Sequence, residues 1–153
     1  MAPASAVTLR YTMTGVDTDG IVEFAQFDID SNAVPDDFEL GAGFAFFDLP
    51  GIYTYGNFTI DLDDMYFYHA DFGGGIFGQS GITATNGLQL YTGSEDASTL
   101  LTGTFVLTDY YDGAPLMLTV TAVPEPMTWA LMIGGFAMTG AVLRRRRVHA
   151  VLV

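Results

Sequence analysis

Asp28-Ile29-Asp30-Ser31-Asn32 sets three oxygen-bearing side chains at alternate positions, the spacing with which a loop wraps a hard cation. Counted from Asp28, Glu39 falls at the twelfth position, where an EF-hand keeps its bidentate glutamate. Ala33 stands where the loop needs glycine, and Pro35 intrudes, so the segment is not an EF-hand. The candidate site is a calcium loop on a β scaffold, with Asp28, Asp30, Asn32 and Glu39 as ligands, set against a first expectation of no cofactor. The plainer reading is an acidic connection whose carboxylates are solvated or cap turns. Asp61-Leu62-Asp63-Asp64 is a weaker cluster of the same kind. No other cofactor is expected.

Catalytic signals are thin. His69 is the single histidine before the tail, too few for a multi-histidine metal site. Gly78-Gln79-Ser80-Gly81 fails the G-x-S-x-G pattern because Ile82 replaces the second glycine. Gly73-Gly74-Gly75 lacks the lysine of a phosphate loop. A carboxylate pair for glycoside hydrolysis cannot be picked out among so many acids. No catalytic residue is nominated, and the domain reads as non-enzymatic. The aromatic groups Phe44, Phe46, Phe47, then Tyr66, Phe67, Tyr68, then Tyr110 and Tyr111 suit either sugar stacking or a sheet core.

These residues need a scaffold of strands. From Val7 to Val16 the chain alternates, with Leu9, Tyr11 and Met13 on one face and Thr8, Arg10, Thr12 and Thr14 on the other. Ile21–Ile29, Phe58–Tyr68, Leu88–Tyr91, Leu101–Tyr110 and Leu116–Val123 read as further strands. Asp19-Gly20, Pro35-Asp36, Pro50-Gly51, Tyr55-Gly56-Asn57, Asn86-Gly87 and Asp112-Gly113 mark turns between them. The pattern predicts an all-β fold, an antiparallel β-sandwich of about seven to nine strands over residues 7–123. No helix is expected before residue 126.

Charge narrows the partners. Of the 18 acids, 17 lie between Val7 and Val123, where Arg10 is the sole basic residue, for a net −16. Such a domain repels nucleic acid and anionic membrane surfaces. It favours cations or neutral polysaccharide. With half its residues apolar and 14% aromatic, the chain is too hydrophobic for an acidic disordered tail. There is no cysteine, so no disulfide or thiolate site exists and stability rests on burial.

The tail reads as an address. Residues 123–147 run VPEPMTWALMIGGFAMTGAVLRRRR. Met127–Leu143 is 17 residues without a formal charge. As a helix it would extend about 25 Å, the short end for a hydrocarbon core of about 30 Å. Trp129 suits the membrane interface, and Arg144, Arg145, Arg146 and Arg147 would hold the C-terminal end in the cytoplasm. A single transmembrane helix is therefore expected after the β domain.

This segment resembles the PEP-CTERM sorting signal of Gram-negative bacteria, in the variant where Trp-Ala follows the motif. The resemblance rests on Pro124, Glu125, Pro126, Thr128, Trp129, Ala130, the Gly134-Gly135-Phe136 run and the arginines. It implies recognition by an exosortase, which cuts near Pro124–Pro126 and passes the exported domain onward to the envelope or extracellular matrix. The inner membrane is then a transient station, and exopolysaccharide a partner at the destination. One departure is the continuation VHAVLV at 148–153, read as a cytoplasmic tail. The same C-terminal domain occurs in proteins labelled ice-binding. This chain has no regular Thr-x-Thr ladder, and its triplets, TAT at 83–85 and TVT at 119–121 among them, are scattered.

At the other end, Ala4-Ser5-Ala6 resembles a signal-peptide cleavage site without the basic and apolar parts that precede one. Residues 1–6 are therefore expected to be the stub of a longer leader. The sequence thus yields residues 1–6 as remnant, 7–123 as exported domain, 124–147 as sorting signal and 148–153 as tail. An exported matrix protein is the first expectation, and a secreted module binding calcium or carbohydrate is the alternative.

Overall fold

A computed structural model describes residues 6–78 and 83–123, together with 132, 133 and 136. The sorting motif Pro124, Glu125, Pro126 and Trp129, the arginines 144–147 and Ser80 lie outside the described residues. So do residues 1–5 of the expected leader stub and the 148–153 tail. The chain divides into two compact units, Met1–Val123 and Pro124–Val153. Among the described residues no helix is long and apolar enough to cross a membrane, and most of the expected 127–143 span is not described.

The first unit is all-β, and every strand pair is antiparallel. Its described residues form thirteen strands, eight of them four residues or longer. The long ones are β1 (Thr8–Val16), β2 (Val22–Asp30), β12 (Gly103–Asp109) and β13 (Pro115–Val123). Between β2 and β12 come β3 (Asp37–Glu39), β4 (Gly43–Phe46), β5 (Gly51–Tyr55), β6 (Phe58–Leu62) and β7 (Met65–Tyr68). They are followed by β8 (Ile76–Gly78), β9 (Thr85–Asn86), β10 (Tyr91–Thr92) and β11 (Thr99–Leu100). Two single 3-10 turns, Ala70–Phe72 and Glu95–Ala97, are the helical elements among the described residues of this unit.

Seven strands form one sheet in the order β6-β5-β2-β1-β13-β12-β9. Period-two alternation builds it. Leu9, Tyr11 and Met13 of β1 face Ile29, Phe27 and Ala25 of β2 in register, and all six are buried. On the other side, Tyr11 and Met13 meet Val120 and Leu118 of β13. Arg10 and Asp28 also sit opposite one another, on the outer face, in a two-pronged ion pair of 2.8 Å per prong. The smaller sheet runs β3-β4-β7-β8, and β10 pairs with β11 alone.

The inner faces of the two larger sheets share one apolar core. Tyr11 stacks on Phe27 at 4.7 Å and meets Phe67 of the small sheet edge-on at 5.7 Å. Phe67 in turn stacks on Phe44 at 5.1 Å. Burying each such side chain contributes about 1.5–3 kcal/mol. That is the main stabilising term in a chain without disulfides.

Three expectations change in detail. The run Phe58–Tyr68 is two strands in different sheets, β6 at the edge of the large one and β7 inside the small one. The chain crosses at Asp63-Asp64, where Asp63 accepts the Leu49 N–H through its carbonyl and Asp64 accepts the Asp48 N–H through its side chain. The Pro50-Gly51 turn signal is also the threshold of a strand, because β5 begins at Gly51. Of the expected Leu88–Tyr91 strand only Tyr91 lies in a strand, within β10.

Candidate functional site

The small sheet carries a groove. In β7, Met65 and Phe67 point into the core, which leaves Tyr66 and Tyr68 on the outer face and half-buried. Cross-strand register continues this face. Asp37 of β3, Ala45 of β4, Tyr66 of β7 and Phe77 of β8 form one row, and Glu39, Gly43 and Tyr68 form the next. The middle strand thus contributes only Gly43 and Ala45 between longer neighbours. A trough of about 450 Å³ results, with the two tyrosines on one flank and the two carboxylates on the other.

Gly43 is required by the backbone as well as by the trough. A Cβ there would run into the carbonyl oxygen of Phe67 on the adjacent strand. Aromatic rings extend the tyrosine flank. Phe47 lies 6.3 Å from Tyr66, and Phe77 lies 6.4 Å from Tyr66 and 6.5 Å from Tyr68. Beyond them a second hollow of about 280 Å³ is lined by Phe72 and Tyr110 together with Tyr68 and Phe77. Exposed rings beside carboxylate acceptors can stack on the apolar face of a ring-shaped ligand and accept its hydroxyl protons.

No protein-family model matches the chain, and neither a curated protein nor a solved structure matches it.

The expected aromatic groups are split by the fold. Phe44, Phe46 and Phe67 are core residues, whereas Phe47, Tyr66, Tyr68, Tyr110 and Tyr111 keep solvent-facing surface. Two members of the groove carry little sequence signal. Asp37 sits just after the Pro35-Asp36 turn, and Phe77 sits in a three-residue strand too short to show a period.

The calcium ligands expected from spacing are not brought together. Asp28 is held by Arg10. Asp30 ends β2, and its carboxylate accepts the Asn32 N–H at 2.8 Å, closing the turn in which Asn32 lies. Glu39 is a wall of the groove instead. Among the described residues no three acidic or histidine side chains gather to hold a metal ion. The reason is local: Asp28 and Asp30 lie in an extended strand, where alternate residues are about 7 Å apart rather than wrapped around a point.

His69 caps a turn. Its Nδ1 accepts the Asp71 N–H at 3.2 Å, at the start of the 3-10 turn Ala70–Phe72. The three glycines after that turn are all left-handed, with φ of 94°, 61° and 74°. A Cβ on Gly74 would meet the Gly87 carbonyl, and one on Gly75 the Thr85 carbonyl. The run is a fold requirement for bringing β8 beside β9.

Proposed function

We propose that the chain is an exported, non-enzymatic envelope or matrix protein sorted through a PEP-CTERM signal at residues 124–147. The single observation that carries this is the order of three elements: Pro124-Glu125-Pro126, an uncharged apolar run with Trp129 at its start, and four arginines. An apolar run closed by a basic cluster orients the preceding domain outward. An exosortase is the partner that would read and process it. We read the delivered domain as an antiparallel β-sandwich, supported by the shared core of its two larger sheets.

The test is expression in an exosortase-bearing Gram-negative host and in the same host with that enzyme deleted. The chain should be shortened and leave the inner membrane only in the first host. Replacing Pro124, Glu125 and Pro126 together by alanine should trap it at full length. Equal size and location in both hosts would end this reading.

A second reading, a carbohydrate-binding module using the same address, is favoured by the groove over β4. Tyr66 and Tyr68 offer stacking faces, Asp37 and Glu39 offer acceptors, and a domain of net −16 suits a neutral polysaccharide better than an acidic one. Electrophoresis of the chain in gels containing neutral polysaccharides should show retardation that Tyr66→Ala and Tyr68→Ala each weaken about tenfold, a loss of about 1.4 kcal/mol. Unchanged mobility in every glycan, or retardation that survives both substitutions, would remove the groove from consideration.

A further inference from the structure

One end of the large sheet collects carboxylates from two strand connections and from β2. Register sets Gly15 of β1 beside both Glu23 and Leu116, and Glu23 beside Tyr55 of β5. The β1–β2 turn, the tail of β5 and the β12–β13 turn therefore share that end. They enclose a cleft of about 340 Å³ to which Asp17, Asp19, Glu23, Asp109 and Asp112 contribute. No basic residue lines it among the described residues.

Three of these carboxylates are built into the turns. Asp17 accepts the N–H groups of Asp19 and Ile21 at 2.9 and 2.7 Å and the hydroxyl of Tyr55. Asp109 accepts those of Tyr111 and Asp112 at 2.7 and 3.0 Å. Asp112 accepts the Ala114 N–H at 2.8 Å and the Thr18 N–H at 2.8 Å, tying one turn to the other. Asp19 is exposed.

Glu23 differs from all four. It lies in phase with Ala25 and Phe27 on the core-facing row of β2 and is only 6% exposed. It lines the cleft, yet no hydrogen bond or ion pair reaches its carboxylate from any described residue. Burial, then the charges of Asp109, Asp112 and Asp17, push its carboxyl up to about 7. A buried charged group without a partner is costly, and in a native fold it calls for a reason.

When Glu23 is ionised a cation is the partner that relieves its charge, and the site's construction selects its kind. Hard metal ions need several convergent oxygens at 2.3–2.6 Å. Here no three acids gather for one, and the lone pairs of Asp17 and Asp112 are already directed at backbone N–H groups. The cleft is also side-chain-sized rather than ion-sized, and the rings of Tyr53 and Tyr55 line it beside Glu23. Aromatic faces attract organic cations, and a carboxylate accepts from their N–H donors. We propose that this cleft binds an alkylammonium or guanidinium group, with Glu23 as its direct charge partner and the tyrosine rings as its walls.

The test is titration calorimetry of the full chain in nonionic detergent at pH 8 and low salt. The probes are L-argininamide, 1,4-diaminobutane and calcium chloride. At least one organic probe should bind saturably at one site. Glu23→Gln should weaken it at least tenfold. Asp96→Asn removes the same charge from an exposed turn outside the cleft and should leave affinity within twofold. The wild-type chain supplies an arm that needs no variant. Affinity should fall at least tenfold from pH 8 to pH 5, because Glu23 takes up its proton in that interval while ordinary carboxylates stay ionised. Equal weakening by both substitutions, pH-independent affinity, or binding of calcium alone would each overturn the proposal.

Discussion

Glu23→Gln should make the protein more stable at alkaline pH and leave it unchanged in mild acid. The folded state holds the Glu23 proton up to about 7, whereas the ordinary glutamate value is 4.5. Between those values the folded state binds more protons than the unfolded one, so stability falls as pH rises through the window and is lowest above it. At about 1.36 kcal/mol per pH unit the interval has a ceiling of about 3 kcal/mol. Because the cleft opens to solvent, about 2 kcal/mol is the realistic share. Glutamine keeps the shape and removes the charge. Thermal unfolding at pH 8.5 should therefore rise by roughly 5–10 °C in the variant. At pH 4, below the ordinary glutamate value, the two proteins should melt together. Asp17 and Asp112 do not blur this comparison. The Tyr55 hydroxyl first, for Asp17, and the Thr18 N–H first, for Asp112, hold their carboxyls below the ordinary value of 3.8. Their stabilisation is present above that value and lost as pH falls below it, outside the Glu23 window. A variant less stable at pH 8.5, or stabilised equally at both pH values, would refute the reasoning.

Tyr11→Phe should be neutral or stabilising by up to about 1 kcal/mol in urea denaturation, since the buried Tyr11 hydroxyl has no partner among the described residues while its ring packs fully. Gly74→Ala should cost about 2 kcal/mol or more in the same assay, because φ is 61° and the new Cβ meets the Gly87 carbonyl. Glu95 accepts the Gly41 N–H at 3.1 Å and the Tyr91 hydroxyl at 2.9 Å, so Glu95→Ala should speed hydrogen exchange at the Gly41 amide. An unchanged Gly41 rate would mean that this carboxylate does not hold the β3–β4 turn.

Long alternation was the readable part of the fold. β1, β2, β12 and β13 each bury every second residue over much of their length, and their turns carry Asp-Gly signals. β4 buries all four residues of Gly43–Phe46, so it shows no period. β5 hides behind Pro50-Gly51, and β8 is three residues long. The groove depends on which strands neighbour β4, and only sheet order reveals that Glu39 stands across from Tyr68 rather than near Asp28. Glu23 was within reach of the sequence: alternation through Ala25, Phe27 and Ile29 puts it on the buried face. Its lack of a partner was not, because that depends on the turn after β12.

The acid excess also explains how the fold is held. Arg10 is the sole basic residue between Val7 and Val123, and several carboxylates accept from backbone amides rather than from a side-chain cation. Asp36 accepts from Phe47, Asp30 from Asn32, and Asp17, Asp109 and Asp112 from their own or adjoining turns. Charge-assisted bonds of this kind satisfy oxygen atoms but leave the charge in place. Among the described residues no side-chain cation besides Arg10 answers the field they create, and five of the acids, Glu23 included, gather at the sheet end. The groove over β4 has a different balance, with two exposed acids facing two tyrosines. Neutral rings suit that face, whereas a cation suits the sheet end once Glu23 is ionised. The two proposals therefore call for partners of different chemistry at separate places on the domain.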